Sequence, residues 1–330
     1  MDTFNQIYNR FLDMALRTRS AATTPINYTT LGKQLVNESH QAICAMRPWT
    51  FLEKTANLTS VASTNNYELP RDAKNNQITA VNYQESSSVI HRPRIIRSPD
   101  FWEYLQSLNS GTSDTPQYAY IYDEKLYLWP TPATASLTIQ VRYRKIARDM
   151  TQDDYTTGTI SAATNGDETI TGGSTSWTSG MAGDWLRITQ GAAASLGDGY
   201  WYEISSITST TELELVKDYA GTSLAAASAN YTIGEMPFVP LGFHDTILYR
   251  ALMVHFMQEG NDMVRAERFA RLYDGGKEMG LSGAYGGKIK QMMEAFSGTS
   301  EDISIENLDD RELKASDFII PDSNFSGNSW

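Results

Sequence analysis

Residues 123–145 read DEKLYLWPTPATASLTIQVRYRK. Two runs of strand-type residues meet at a Trp-Pro-Thr-Pro corner. Nothing in the stretch is an evident nucleophile, reductant or metal ligand. Its reading as scaffold sets the expectation for the rest of the chain: ordered strand with little chemistry in it.

Working outward, YAYIYD precedes this stretch, and TFLEKTANLTSVA, QITAVNYQ and SVIHRPRIIR lie further upstream as strands. Between them Ser98-Pro99-Asp100 opens a short helix, DFWEYLQSL, with Ser98 as cap and Pro99 in first position. Downstream, residues 156–236 change composition. Gly, Ser, Thr and Ala dominate, and short strands recur about every ten residues, as in a small β-sandwich or barrel. As an insert, this stretch needs its two ends close together.

Helical periodicity flanks both β regions. Phe4, Ile7, Tyr8, Phe11, Leu12 and Ala15 share one face of a helix over 2–19. A second helix runs over 30–46 and stops before Pro48. After Pro240, residues 241–260 and 261–279 are helical, with Asn261 or Asp262 as a cap, and Gly275-Gly276 ends or kinks the second of these. KIKQMMEAF is a last short helix. The fold expected is α+β: a bundle of N- and C-terminal helices, an antiparallel β domain and an inserted small β-sandwich or barrel. The divisions are 1–48 (helices packing on 237–296), 49–155 (β, with the helix 98–109), 156–236 (insert), 237–296 (helices) and 297–330 (a flexible acidic arm).

With 330 residues, 41% of them hydrophobic, the chain can bury a sizeable core. The one cysteine, Cys44, rules out an internal disulfide framework and falls among apolar helix residues. No apolar run approaches a membrane span, and the N-terminal stretch reads as a helix rather than a leader. The net charge of −12 is unevenly spread: 297–330 carries −6 and 156–236 carries −7, so the rest is near neutral. That pattern argues against a free nucleic-acid binder, which needs a basic footprint.

Catalytic motifs fail on inspection. His244 and His255 are eleven apart, too far to grip one metal, and there is no HExxH or cysteine pair. Gly287-Lys288 resembles the end of a phosphate loop, but Ser282 and Ile289 break it. No GxGxxG opens a helix, and no GxSxG elbow occurs. Asp153-Asp154, Asp123-Glu124 and Asp309-Asp310 read as solvated loop charge. The chain is not expected to be an enzyme, and no cofactor is expected. Two basic clusters remain, His91, Arg92, Arg94, Arg97 and Arg142, Arg144, Lys145, Arg148, as a docking surface for an acidic partner or DNA phosphate. Trp177, Trp185, Tyr200, Trp201 and Tyr202 either fill the insert's core or stack sugars.

The order of features carries a resemblance. A helical start runs into RPWTFLEKTANLTSV, then YELPRDAKNNQITAV, then FWEYLQ, then TPQYAYIYDEKLYLWPTPATASLTIQVRYRKI. This resembles the head-to-tail adaptors of tailed bacteriophages, including the tail tubular protein A type of gatekeeper. The insert resembles small β modules of phage virion proteins. The resemblance covers about 30–275. It implies a structural virion protein at the neck, made in the bacterial host cytoplasm. Twelve copies would ring the channel beneath the portal protein, hold a tail or nozzle component, and let double-stranded DNA pass without sequence-specific binding. No membrane is involved. It also implies an arm, 297–330, that reaches the portal through Phe318, Ile319, Ile320, Phe325 and Trp330. The alternative is a tail or fibre component whose β insert binds host-surface glycan.

Overall fold

The computed structural model describes residues 2–16, 26–86, 88–108, 113–189, 197–225, 228–258 and 262–296. Among them are six α-helices and several sheets in a mixed α/β arrangement. The helices are α1 (Phe4–Leu16), α2 (Ile26–Met46), α3 (Pro99–Leu108), α4 (His244–Gln258), α5 (Met263–Tyr273) and α6 (Gly287–Phe296).

Helix α1 starts at a reciprocal cap. The Thr3 hydroxyl accepts the Gln6 N–H, and the Gln6 side chain accepts the Thr3 N–H, each at 3.3 Å. Two of the helix's otherwise unpaired donors are thereby satisfied. Its stripe, Phe4, Ile7, Tyr8, Phe11 and Leu12, is buried. Helix α2 ends as Pro48 requires, and the Trp49 indole then donates to the Ile43 carbonyl at 2.7 Å, occupying one of the last free acceptors. Helix α4 buries residues on every side, including Ile247, Leu248, Ala251, Leu252 and Phe256. A helix apolar all round belongs inside. It touches α1, α2, α5 and α6, and all five share one apolar core. Ser98 caps α3 through the Phe101 N–H, and Asp262 caps α5 through the Arg265 N–H, as the sequence predicts.

The opening stretch folds differently from a simple strand pair. Strand Lys125–Trp129 and strand Thr138–Lys145 do not pair with each other. Thr138–Lys145 is flanked by Glu53–Thr59 and Ala73–Gln84, with Ile90–His91 at the edge, in an antiparallel four-stranded sheet. Lys125–Trp129 lies between Asn66–Glu68 and Tyr118–Tyr122 in a second four-stranded sheet. The corner, with its cis Trp129–Pro130 peptide, carries the chain from one sheet to the other. Leu126 and Leu128 then meet Ile139, Val141 and Tyr143 in one core between the sheets.

The expectation of a purely antiparallel β domain needs correction. Arg94–Ile96 runs parallel to Tyr118–Tyr122, and Ser113–Asp114 runs parallel to Thr131–Pro132. Helix α3 lies between Arg94–Ile96 and Tyr118–Tyr122 and acts as the crossover that a parallel pair requires. It packs Trp102 and Leu105 onto Tyr118, Tyr120, Tyr127 and Trp129. The hairpin turn at Asp123-Glu124 has φ of 50° and 58°, the left-handed pair of a type I′ turn.

Strands of the 156–236 stretch form a six-stranded sheet in the order Thr159–Ala163, Thr169–Gly173, Glu212–Leu215, Trp201–Ser209, Trp185–Ile188, Tyr231–Gly234. Bridges Ile160–Ala229 and Ala163–Leu224 tie the first strand to the segment leading into the last, and a bridge Tyr155–Ile233 ties the last strand to the residues preceding the first. The Tyr155 N–H donates to the Ile233 carbonyl at 2.8 Å, so the two ends of the stretch are adjacent. Its core holds Ile160, Ile170, Trp177, Leu186, Leu213 and Tyr231.

Candidate interaction surfaces

The structure separates the seven basic residues singled out in the sequence. Arg92, Arg94, Arg97 and Arg142 are exposed. Arg142 alternates with buried Val141 and Tyr143, so it projects from the outer face of the first sheet. The same face carries a polar chain from Arg92, in the link after Ile90–His91, across two strands. Arg92 Nε donates to Asn82 Oδ1 at 3.3 Å, and Asn82 Nδ2 donates to Gln140 Oε1 at 3.2 Å.

The other three sit differently. Arg144 lies 3.9 Å from Glu53. Lys145 Nζ stands 4.0 Å from the centre of the Phe238 ring, and burial lowers its pKa. It is a packing residue between the first sheet and the helices, not a surface cation. Arg148 is engaged at a seam missed by sequence reasoning. Its Nη2 lies 3.3 Å from Asp184 and 3.6 Å from Glu235. Both carboxylates are nearly inaccessible, at 3% and 5% side-chain exposure. Glu235 also accepts the N–H groups of Thr151 and Gln152 at 2.5 and 2.7 Å. Asp184 and Glu235 are 36 and 87 residues from Arg148, and no spacing rule joins such positions.

The same connecting segment is stitched to the helices. Asn37 exchanges two hydrogen bonds with the Met150 backbone, and Gln41 donates to Asp149 at 2.6 Å. A polar depression of about 340 Å³ opens here between Gln34, Asn37, Glu38, Gln41, Asp149 and Thr151. Asp153 is not simply solvated: it accepts from the Tyr8 hydroxyl and from Lys33, both at 2.8 Å. Residues 148–153 therefore lock the helices to the six-stranded sheet.

The histidines do not form a metal site. His40, His244 and His255 are buried. Burial, with His244 nearby, pushes His40 down to about 4, and its Nε2 accepts the Phe238 N–H at 3.0 Å. Among the described residues, no group of three His, Cys, Asp or Glu could hold a metal ion. Cys44 is buried, and burial pushes its thiol up to about 12.

Of the aromatics in residues 156–236, Trp177 is 2% exposed and Trp201 is 8% exposed. The Trp177 indole donates to the Tyr231 hydroxyl at 2.9 Å. Only Tyr200, at 69%, stands fully out. A second exposed aromatic group lies on α3, where Phe101 sits against both Tyr104 and Tyr118. Phe318, Ile319, Ile320, Phe325 and Trp330 lie outside the described residues.

Among the described residues, no helix is long and apolar enough to cross a membrane. No curated protein shows a significant match to the chain. A family model described as SU10 adaptor protein matches residues 6–194. That range takes in α1, α2, both four-stranded sheets, α3, the Arg148–Asp184 contact and half of the six-stranded sheet. With more than half of its length matched, the chain belongs to the SU10 adaptor protein family, consistent with the phage head-to-tail adaptors it resembles.

Proposed function

We propose that the protein is the ring-forming link between portal and tail at the neck of a phage particle. Family membership over residues 6–194 is the observation that carries this reading. Twelve copies close a ring beneath the portal, a tail component docks on the far side, and double-stranded DNA runs through the lumen. The role is structural, with no chemical step. Helices α1, α2, α4, α5 and α6 serve as the body, and the six-stranded sheet is an inserted unit held at a fixed angle by Arg148, Asp184 and Glu235. Heterologous contacts close into a ring only at one relative rotation, so such a lock has a use.

Two surfaces are assigned to partners. Arg92, Arg97 and Arg142 meet an acidic surface of the next copy or of the portal. The 297–330 arm docks in a portal cleft through Phe318, Ile319, Ile320, Phe325 and Trp330. A lumen without a strong basic lining also suits DNA passage, because each phosphate contact strengthens binding and slows release.

The test is antibody labelling of source particles in the electron microscope, including tails detached from heads. Label at the neck is the expected result. Label at a fibre or tail tip would move the insert to the centre as a glycan binder, and absence from particles would remove the virion role. Joint reversal R92E/R97E/R142E then addresses the surface: weakened ring assembly or portal attachment is expected, and unchanged assembly refutes the assignment.

A further inference from the structure

Strand Glu53–Thr59 ends the first sheet. One side of it pairs with Thr138–Lys145, and no described strand lies on the other. The Ser60 N–H donates to the Leu137 carbonyl at 2.8 Å, in register with Thr59 opposite Thr138. Antiparallel bonding alternates along a strand, so Lys54, Ala56 and Leu58 bond toward Thr138–Lys145. Glu53, Thr55, Asn57 and Thr59 then point their N–H and C=O groups out of the sheet.

The ends of this outer row are already used. The Glu53 N–H donates to the Thr50 carbonyl. Val61, further along the same row, donates its N–H to the Tyr67 hydroxyl at 3.2 Å. Between them stand Thr55, Asn57 and Thr59, with exposed side chains. No proline, bulge or charge interrupts Thr55–Thr59, and these are the devices by which natural edges resist pairing.

The stretch is its own complement. Its free row is symmetric about Asn57, with Thr55 and Thr59 on either side and the spent ends, Glu53 and Val61, beyond them. A second copy laid antiparallel, Asn57 against Asn57, sets each Thr55 opposite the other copy's Thr59 and forms about six hydrogen bonds. The outer face then pairs Thr with Thr and Asn with Asn, while the inner face sets Ala56 opposite Leu58. Ala56 and Leu58 are half-buried at the rim of the core in the single chain. The charges allow the contact. Glu53 lies 3.9 Å from Arg144 and Lys54 lies 3.0 Å from Asp72, each within its own chain. The two Arg142 residues would stand about 20 Å apart across the joined sheet, beyond a Debye length.

We propose that two copies of the protein join through this edge, merging their first sheets into one about a two-fold axis at Asn57. The contact is small, so the dimer is weak and transient. It is isologous and saturates at two copies, unlike the heterologous contacts of a ring. It covers the edge while the protein is free, and it does not depend on the ring or portal assignments.

The experiment follows the full chain by sedimentation over a range of concentrations. A dimer that grows with concentration is expected. Asn57→Pro deletes an N–H that points out of the sheet, a substitution an edge strand tolerates. It should weaken the dimer at least about tenfold, the loss of two hydrogen bonds, with thermal unfolding of the monomer little changed. Asn57→Cys puts a thiol from each copy on the axis, with Cα atoms about 5.5 Å apart and within disulfide reach. Mild oxidation should give a covalent dimer. Thr59 is also exposed, but its two copies would lie about 14 Å apart, so Thr59→Cys should not cross-link. Cys44 is buried and does not compete. A monomer up to about 1 mM, a dimer indifferent to N57P, or equal cross-linking of N57C and T59C would overturn the proposal. Exchange-protected amides at 55, 57 and 59 in a monomer would assign the edge to another segment of the same chain. A larger assembly that N57P abolishes and N57C does not cross-link would assign it to a different strand. Either result also overturns the self-pairing.

Discussion

Arg148 places one guanidinium nitrogen 3.3 Å from the carboxylate of Asp184, a residue 36 positions away that is almost wholly buried. The same nitrogen faces Glu235 at 3.6 Å. Two buried acids thus share one half-exposed cation where the helices meet the six-stranded sheet. Removing one partner of such a group leaves charge buried without compensation. Arg148→Met should cost about 1–3 kcal/mol, below the fully buried range because solvent reaches the guanidinium. Thermal unfolding measures the loss. R148M/D184N should recover part of it, and equal stability of R148M and the parent would show that the cluster holds nothing.

The same group sets a pH dependence. Burial first, then repulsion from Glu235, raises Asp184 to about 7. The folded state therefore holds this proton across a range where the unfolded chain releases it. The resulting stabilisation is complete below the ordinary aspartate range and is lost as pH rises through about 7. The Asp184 contribution should thus fall between about pH 4 and 7 and level off above that, and Asp184→Asn should flatten that part of the curve. Denaturant titrations at several pH values give the comparison.

Aromatic side chains in the six-stranded sheet separate core from surface. Trp177 is buried and donates to Tyr231, whose hydroxyl donates to the Thr157 carbonyl at 2.5 Å. Trp177→Ala should cost about 3–5 kcal/mol, in the range for deleting a large core side chain. Tyr200→Ala should change stability by less than about 0.5 kcal/mol. Loss of sugar binding in Y200A, with folding intact, would revive the glycan alternative.

Gly287 opens α6 with φ +56°, and a Cβ there would stand 2.5 Å from the Leu272 carbonyl oxygen. Gly287→Ala meets both a left-handed backbone and a backbone clash, and should cost about 2 kcal/mol or more. Gly283 has open space around its Cβ position, so Gly283→Ala is the control. Differential scanning calorimetry of the pair settles the direction.

Much of the secondary structure could be read locally, and the reason is periodicity. The spacing of Phe4, Ile7, Tyr8, Phe11 and Leu12 specifies an amphipathic helix wherever it packs, and each of those residues is buried. The caps at Ser98 and Asp262 are equally local, because a cap needs only the next few N–H groups. The change of composition at 156–236 marked out the strands that make one six-stranded sheet.

Pairing was not readable, because strand partners are chosen across the fold. The residues around the Trp-Pro-Thr-Pro corner look like one hairpin, yet their strands belong to two sheets. The parallel pairing of Arg94–Ile96 depends on where α3 lands. The basic residues show the same limit. Composition identified seven cations, and only tertiary contact separated Arg142, out on a sheet face, from Lys145 under Phe238 and Arg148 between two buried acids. The sequence determined where helices, strands and turns form, because those depend on neighbours a few residues away. The tertiary structure decided which charges are free, since desolvation and ion pairing depend on groups distant in the chain.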